Sequence, residues 1–430
     1  MSNSELTDDA TRPRSVLAAP WFWGVVAAAL AARLVYIAAG VYELIPDEAV
    51  HWQYSRRLDW CYYTKGPLAA WLMWLGCQVF GQTEFGIRVF SALCSAATLV
   101  FSVLLYERLR PGERRGVAGF LIVHQVVPLF VVGSFIMNVD SPLMTCWAAA
   151  MWAMIKATRD RKPGYWVVVA LAIGVGLTGK MAMLFFPATL FTYLALSPQA
   201  RPWLRRPGPW LATLGGLLFL IPQFVWNSRH GWIMFYHQAQ KAKPDWEISG
   251  LLGPFEYVGA LMGVVSPVLF VLLVIAFVHH WRQRRSDDDS RLILAGVLPV
   301  FLFYGALSFI RHVDPNWPAV MLHALFLGGA LYWAPRWGEQ IVRRWWWTAF
   351  AVGAVITFFI LAPGVSFRLA DACGLDPARL PMERAAGWRD VAAFAAKAAA
   401  PLRQGCAVVG RNQRDASVLA FYMPGQPWTY

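Results

Sequence analysis

Charge is the first thing this sequence has little of. Only 15% of its 430 residues are Asp, Glu, Lys or Arg, against roughly 25% in a soluble domain. Cysteine is scarce too: six residues, with no CxxC and no Cys/His spacing of the kind that binds zinc. Internal repeats and low-complexity linkers are absent. So is a small-residue cleavage site after the first apolar run, which therefore reads as a retained membrane helix. These absences exclude an ordinary soluble core, a zinc module, a repeat solenoid and a disordered chain.

What is there is apolar. Hydrophobic residues make up 58% of the chain, and its mean hydropathy is +0.44. Apolar runs fall at about 20–40, 85–106, 116–134, 139–155, 164–179, 181–197, 209–227, 255–280, 292–310, 317–334 and 345–363. Most approach the roughly 20 residues needed to span a bilayer. Lipid admits only helices or closed barrels, and these runs are too long and uniformly apolar for barrel strands. The pattern predicts an all-α polytopic membrane protein with about 11 transmembrane helices. The shorter stretch 66–80 reads as an interfacial or re-entrant helix. Many of the 23 tryptophans sit at run ends, as in an interfacial belt.

The net charge of +13 invites a nucleic-acid reading, which its distribution opposes. Alternate loops carry 20 Lys and Arg on one side, including Arg108, Arg110, Arg159, Arg205, Arg284 and Arg343, and nine on the other. The positive-inside rule puts the first set in the cytoplasm, with the N-terminus inside and the C-terminus outside. Three parts follow: a cytoplasmic tail at 1–19, a transmembrane domain at 20–363, and a small external C-terminal domain at 364–430. In the last, 387–400 and 415–422 read as helices and 406–410 as a short strand, an α/β cap. The acidic run Asp287-Asp288-Asp289 reads as a solvated cytoplasmic loop.

On this topology the chemically versatile residues gather on one face. The first external loop, 41–84, holds Asp47 and Glu48 beside His51, and closes with Tyr62-Tyr63-Thr64-Lys65-Gly66-Pro67. A partly buried carboxylate at a membrane mouth can act as a general base, and two adjacent ones, Asp47 and Glu48, can hold a divalent metal. The plainer alternative is a helix first turn, where acids complement the dipole. Lys65 can bind a phosphate at headgroup depth or simply snorkel, and Arg88 invites the same two readings. Asp140 is either an N-terminal helix acid or a second catalytic carboxylate. Lys180 has apolar sequence on both sides, as a membrane charge with a functional partner would. Arg33, inside the first span, could pair with one of the acids. His230, His237, Arg311 and His312 add to the outer face. Tyr62 and Tyr63 complete the candidate substrate-contacting set.

These motifs, in this order, carry a family resemblance. Asp47-Glu48 and Tyr62-Tyr63-Thr64-Lys65-Gly66-Pro67-Leu68 are followed by Glu84-Phe85-Gly86-Ile87-Arg88, Asn138-Val139-Asp140-Ser141-Pro142 and Gly179-Lys180. Then come Trp226-Asn227-Ser228-Arg229-His230-Gly231-Trp232, Asp314-Pro315-Asn316-Trp317-Pro318 and a tail from Gly410-Arg411-Asn412-Gln413 to Ala420-Phe421-Tyr422. The whole resembles the GT-C class of membrane glycosyltransferases, and within it the bacterial group related to protein O-mannosyltransferases and to the lipid A aminoarabinose transferase.

The resemblance implies a polyprenyl-phosphate-linked sugar donor, a membrane lipid environment, and a lipid, glycan or protein acceptor, at the outer face of a bacterial inner membrane. It implies Asp47 as principal catalytic carboxylate and Asp140 as a supporting one. Lys65 would contact the donor phosphate, with Arg88 or Lys180 as further cations. Thr64 stands where relatives often carry an acid, which removes one metal ligand, and Gly66 stands where they often carry a proline. In the tail, Cys373 and Cys406 would both face an oxidising compartment, so they form either a disulfide or two separate thiols. A transporter or lipid flippase would need repeats and midplane charges. A non-catalytic scaffold would not need to keep Asp47, Glu48, Lys65 and Asp140.

Overall fold

A computed structural model describes residues 15–241, 243, 251–400 and 409–429. Each of the eleven apolar runs is helical within it. Six helices are long and apolar enough to cross a membrane: Pro20–Ala38, Glu84–Leu109, Pro207–Arg229, Asp288–Ser308, Pro318–Arg336 and Gln340–Leu361. The chain is a multi-pass membrane protein.

Of the other runs, that at 139–155 is one unbroken helix, Asp140–Thr158, and the rest are broken or shortened by local chemistry. Pro128 separates the Arg114–Val126 helix from Pro128–Val132, because proline cannot donate into the preceding turn. Lys180 takes an extended conformation (φ −147°, ψ 133°) between the Tyr165–Gly179 helix and the next turn. The run at 255–280 is not one straight span. It bends by 110° between Gly253–Val265 and Pro267–Gln283, at Ser266, whose φ is +93°. Counting that pair as one span brings the total to seven. Tyr165–Gly179 and Met181–Leu196 remain as shorter apolar helices.

The core is centred on the Asp140–Thr158 helix, where Trp147, Ala148, Ala150, Met151, Ala153, Met154, Ile155 and Ala157 are all buried. Its small residues let neighbouring helices approach closely, which is how membrane helices gain packing energy without a hydrophobic drive. At the far end of this helix, charges are neutralised rather than solvated. Asp287 caps the Asp288–Ser308 helix, accepting from the Asp289 and Ser290 amides. Asp288 and Asp289 are nearly buried and take Arg159 at 3.0 and 2.5 Å, while Arg110 reaches Asp289 at 2.7 Å. The acidic run is therefore an inter-helix clasp, not a solvated loop. Among the described residues Arg33 pairs with no acid. It donates to the Ala29 and His124 carbonyls, each at 3.0 Å.

The first external loop folds into two short helices, Pro46–Ser55 and Leu68–Phe80. Pro46 opens the first with its preset φ. Glu48, third in the helix, accepts from the Ile45 amide at 3.1 Å, closing the first turn on itself. Both Glu48 oxygens also bind the Arg88 guanidinium, at 2.9 Å to Nε and 2.7 Å to Nη2, and Oε1 takes the Met137 amide at 2.9 Å. Arg88 donates further to the Tyr42 and Glu43 carbonyls, both at 2.8 Å. The pair is sealed, at 2% and 0% exposure.

The C-terminal segment contributes the Trp388–Ala399 and Gln413–Tyr422 helices, as expected from sequence. No strand occurs among the described residues. Residues 406–408 of the expected strand, Cys406 (one of the two tail cysteines left open between a disulfide and separate thiols) and most of the expected N-terminal tail lie outside them. The segment packs onto the first loop: Phe421 sits edge-on to Trp52 at 5.0 Å, and Val418 and Ala420 are buried with Leu44, Ala49 and Met73.

Leaving one member of a fully buried ion pair unpartnered costs about 3–5 kcal/mol. We therefore expect Arg88→Met to lower the melting temperature in detergent markedly. Restoring apolar balance with Glu48→Leu should recover part of that loss in the double variant, measured by thermal unfolding of each protein.

Candidate active site

Asp47 and Glu48 are adjacent in sequence yet face different partners. Glu48 points inward to Arg88. Asp47, one residue earlier on the helical turn, is 41% exposed and meets Arg384 at 3.0 Å and Arg414 at 3.1 Å, both from the C-terminal segment. The two carboxylates do not form a metal-binding pair, because the oxygens of Glu48 are taken up by a guanidinium and two amides. Among the described residues no group of three His, Cys, Asp or Glu could hold a metal ion.

His51 lies one helical turn after Asp47, on the same face. It is buried, and its Nδ1 has no hydrogen-bond partner among the described residues. Three charges act on its ring: Lys65, Asp47 and Asp140. Burial lowers the imidazole to about 4; the Lys65 ammonium adds to the shift, and the two carboxylates oppose it. The charges that act on His51 thus come from three elements: the first-loop helix, the loop return at 62–67 and the start of the Asp140–Thr158 helix.

Asp140 is the first residue of that helix. Its Oδ1 binds Lys180 Nζ at 2.6 Å and its Oδ2 accepts from Asn316 Nδ2 at 2.7 Å. Both members of the ion pair are largely buried, at 14% and 12% exposure. Asn138 holds the approach by accepting from the Asp140 and Ser141 amides, at 2.8 and 3.2 Å. The expectation that Lys180 has a specific partner is met by Asp140.

The lysine loop is pressed against the end of the neighbouring span. A Cβ on Gly66 would sit 2.1 Å from the Thr178 carbonyl oxygen, so only glycine fits. Thr178 lies two residues before Lys180. Close backbone contact therefore fixes where Lys65 stands relative to Lys180.

The remaining candidates are placed as follows. Tyr62 is buried, stacked on Tyr54 at 4.4 Å, and its hydroxyl donates to the Arg57 carbonyl at 3.1 Å. Tyr63 is exposed and lies against the His237 ring at 4.8 Å. His230 stacks on Trp226 at 3.9 Å, with Nδ1 2.7 Å from the Trp226 carbonyl oxygen. Arg311 covers Trp317 at 5.3 Å. The structure pairs Asp140 with Lys180, gives Asp47 to Arg384 and Arg414, and sets Lys65 within electrostatic reach of His51. It gives Glu48 and Arg88 to each other, and Tyr62 and His230 to local packing. Four residues join the site unmarked in advance: His51, Asn316, Arg384 and Arg414. His51 could have been found from its spacing to Asp47, and Asn316 from the Asp314–Pro318 motif. The two arginines carry no sequence signal.

The fold, and part of the sequence, are similar to those of known proteins. Residues 64–226 match the family model described as dolichyl-phosphate-mannose-protein mannosyltransferase. The crystal structure of apo ArnT from Cupriavidus metallidurans superposes with a TM-score of 0.68 at 18% identity, covering 95% of this chain and 85% of that one. The same enzyme bound to undecaprenyl phosphate gives a TM-score of 0.68 at 17% identity, over 94% and 85%.

Among individual proteins, the chain is 26% identical to the lipid A galacturonosyltransferase RgtD of Rhizobium johnstonii, over 66% of this chain and 59% of that protein. It is 28% identical to the undecaprenyl phosphate-alpha-4-amino-4-deoxy-L-arabinose arabinosyl transferase of Pseudomonas aeruginosa, over 70% and 58%. These alignments thus take in less than two thirds of either relative's length.

The His51 shift has a defined sign. Between about pH 4 and the free-imidazole value near 6.5, the unfolded chain binds one more proton here than the folded chain does. Stability contributed by neutral His51 is therefore full above that window and lost as pH falls through it. The difference in unfolding free energy between wild type and His51→Gln should change by at most about 1.4 kcal/mol per pH unit inside the window and level off on either side, as read from denaturation at stepped pH.

Proposed function

We propose that this protein transfers a monosaccharide from a polyprenyl-phosphate-linked donor to a hydroxyl or phosphate of an envelope lipid or glycan. The reading places it in the inner membrane of a bacterium, with the site and the C-terminal segment on the outer face. One observation supports the proposal: Asp140 is held by Lys180 at 2.6 Å and by Asn316 at 2.7 Å, and it acts electrostatically, with Asp47 and Lys65, on the buried His51 imidazole. The loop-charge asymmetry supports the sidedness. The names of the relatives support a lipid-linked donor and a lipid A-like acceptor.

The chemistry follows from the side chains. Lys65 faces the donor phosphate, and its ammonium stabilises the negative charge that grows as the sugar–phosphate bond breaks. The phosphate departs with the bonding electron pair and needs no general acid. A hydroxyl acceptor attacks the anomeric carbon from the opposite side and gives its proton to Asp47; a phosphate acceptor attacks as its oxyanion and transfers no proton. A single displacement of this kind inverts the anomeric centre. Asp140, fixed by Lys180 and Asn316, shapes the pocket and holds Lys180 close to the phosphate subsite. Whether the sugar is a hexose or a pentose is set by the side chains that meet it, for which Tyr63 and His237, with rings 4.8 Å apart, are the candidates.

Purified protein supplied with a synthetic polyprenyl-phosphate sugar and lipid A-type acceptors should form the glycosylated lipid. Loss of the base should lower kcat by about 10²–10⁴-fold in Asp47→Asn. Lys65→Ala should weaken donor use. Full transfer by Asp47→Asn would remove Asp47 from the role of base.

A further inference from the structure

The partners of Asp47 pose a problem for a base. One oxygen is held by Arg384 Nη2 at 3.0 Å and the other by Arg414 Nε at 3.1 Å. A carboxylate gripped at both oxygens by guanidinium groups is poorly placed to receive a proton from an acceptor. The cluster is also unbalanced: two cations face one anion, at a position where all three side chains are about half exposed, at 54%, 56% and 41%.

The surrounding backbone is fixed independently of these contacts. Arg389 grips both oxygens of Glu84 at 2.7 and 2.8 Å. The Trp388 amide donates to Glu43, and Tyr422 joins Glu84 to the Leu44 amide. Arg56 donates to the Gln426 carbonyl at 2.9 Å and lies over Trp428 at 3.9 Å. Releasing Asp47 therefore requires only that two exposed arginine side chains rotate. The C-terminal segment can stay in place.

We propose that Arg384 and Arg414 form an anion-operated latch on Asp47. In the resting protein they occupy its carboxylate. A phosphate-type oxyanion on an incoming substrate takes over both guanidinium groups, and Asp47 is freed to accept the acceptor proton. A doubly charged oxyanion matches two guanidiniums better than one carboxylate does, in charge and in the number of acceptor oxygens. The latch rests on Asp47 being the base. It adds that this base is unmasked only when the anion has arrived. The oxyanion comes either from the donor phosphate or from an anionic group on the acceptor, and kinetics separate these two sources.

The first measurement needs no turnover. Inorganic pyrophosphate is titrated calorimetrically into the full chain in detergent. Wild type should bind it, and Arg384→Gln/Arg414→Gln should bind at least about tenfold more weakly, since each arginine supplies charge-assisted hydrogen bonds. The corresponding double lysine variant should retain part of the affinity. Asp47→Asn should bind pyrophosphate more tightly than wild type, because the competing carboxylate is gone. A purely structural role for the arginines does not predict that gain. Unchanged affinity in the glutamine variant, weaker binding in Asp47→Asn, or no binding to wild type and Asp47→Asn alike would overturn the latch.

The second measurement is transfer. Arg414→Gln should raise KM several-fold for the substrate that brings the oxyanion, and pyrophosphate inhibition should weaken in parallel. A rise for the donor identifies the donor phosphate; a rise for the acceptor identifies an acceptor anion; a rise for neither overturns the latch. If pyrophosphate behaves as expected but no lipid-linked sugar is ever consumed, the glycosyltransferase reading fails, and only the exchange of Asp47 for an anion on the two arginines stands. If transfer depends on Asp47 while pyrophosphate binding ignores the arginines, the latch fails and the transferase stands.

Discussion

The arrangement depends on one buried ion pair. Glu48 and Arg88 are both sealed from solvent, and between them they bind the first turn of the loop helix, the backbone at Tyr42 and Glu43, and the Met137 amide. Charges so deeply buried survive only when every donor and acceptor is used. That requirement specifies geometry: the loop helix can dock on the Glu84–Leu109 helix in one register only. Asp47 and His51 ride on the same helix, so the pair sets where they stand. Met137 lies three residues before Asp140, so the same pair also bears on the second carboxylate.

The site is composite. No single helix carries it. Asp47 and His51 come from the first loop, Lys65 from the loop return, Asp140 from the head of a core helix, Lys180 from a break between two short spans, and Asn316 from a connection near the end of the bundle. Charged side chains are costly within the bilayer, which confines them to the ends of spans or to mutual pairs. Both solutions are used. Asp140–Lys180 neutralises itself at a helix end, while the Asp287–Asp289 run neutralises Arg110 and Arg159 at the other end of the core.

Much of this was legible in the sequence. Apolar runs gave the helices, because length and hydropathy translate directly into membrane spans. The cluster Asp47, Lys65, Asp140 and Lys180 was visible because charge is so scarce here that each one stands out. What was not legible depends on orientation. Glu48 reads as a metal ligand or a helix first turn and Arg88 as a phosphate contact or a snorkelling cation, since burial and pairing across 40 positions leave no mark in a local pattern; the first-turn alternative for Glu48 holds. Straightness was also hidden: the 255–280 run reads as one span until Ser266 takes a positive φ ahead of Pro267. Arg384 and Arg414 were two among many arginines, and only the docking of the C-terminal segment brings them to Asp47.

The contact between Gly66 and Thr178 has a consequence for how such a site can diversify. Two backbones touch there with no side chain between them, so the spacing of the two lysines beyond it is a fixed gauge rather than an adjustable parameter. Lengthening the loop or adding a side chain at 66 would displace both cations together. Descendants of this sequence can exchange the groups that project around the gauge while the contact itself is inherited intact.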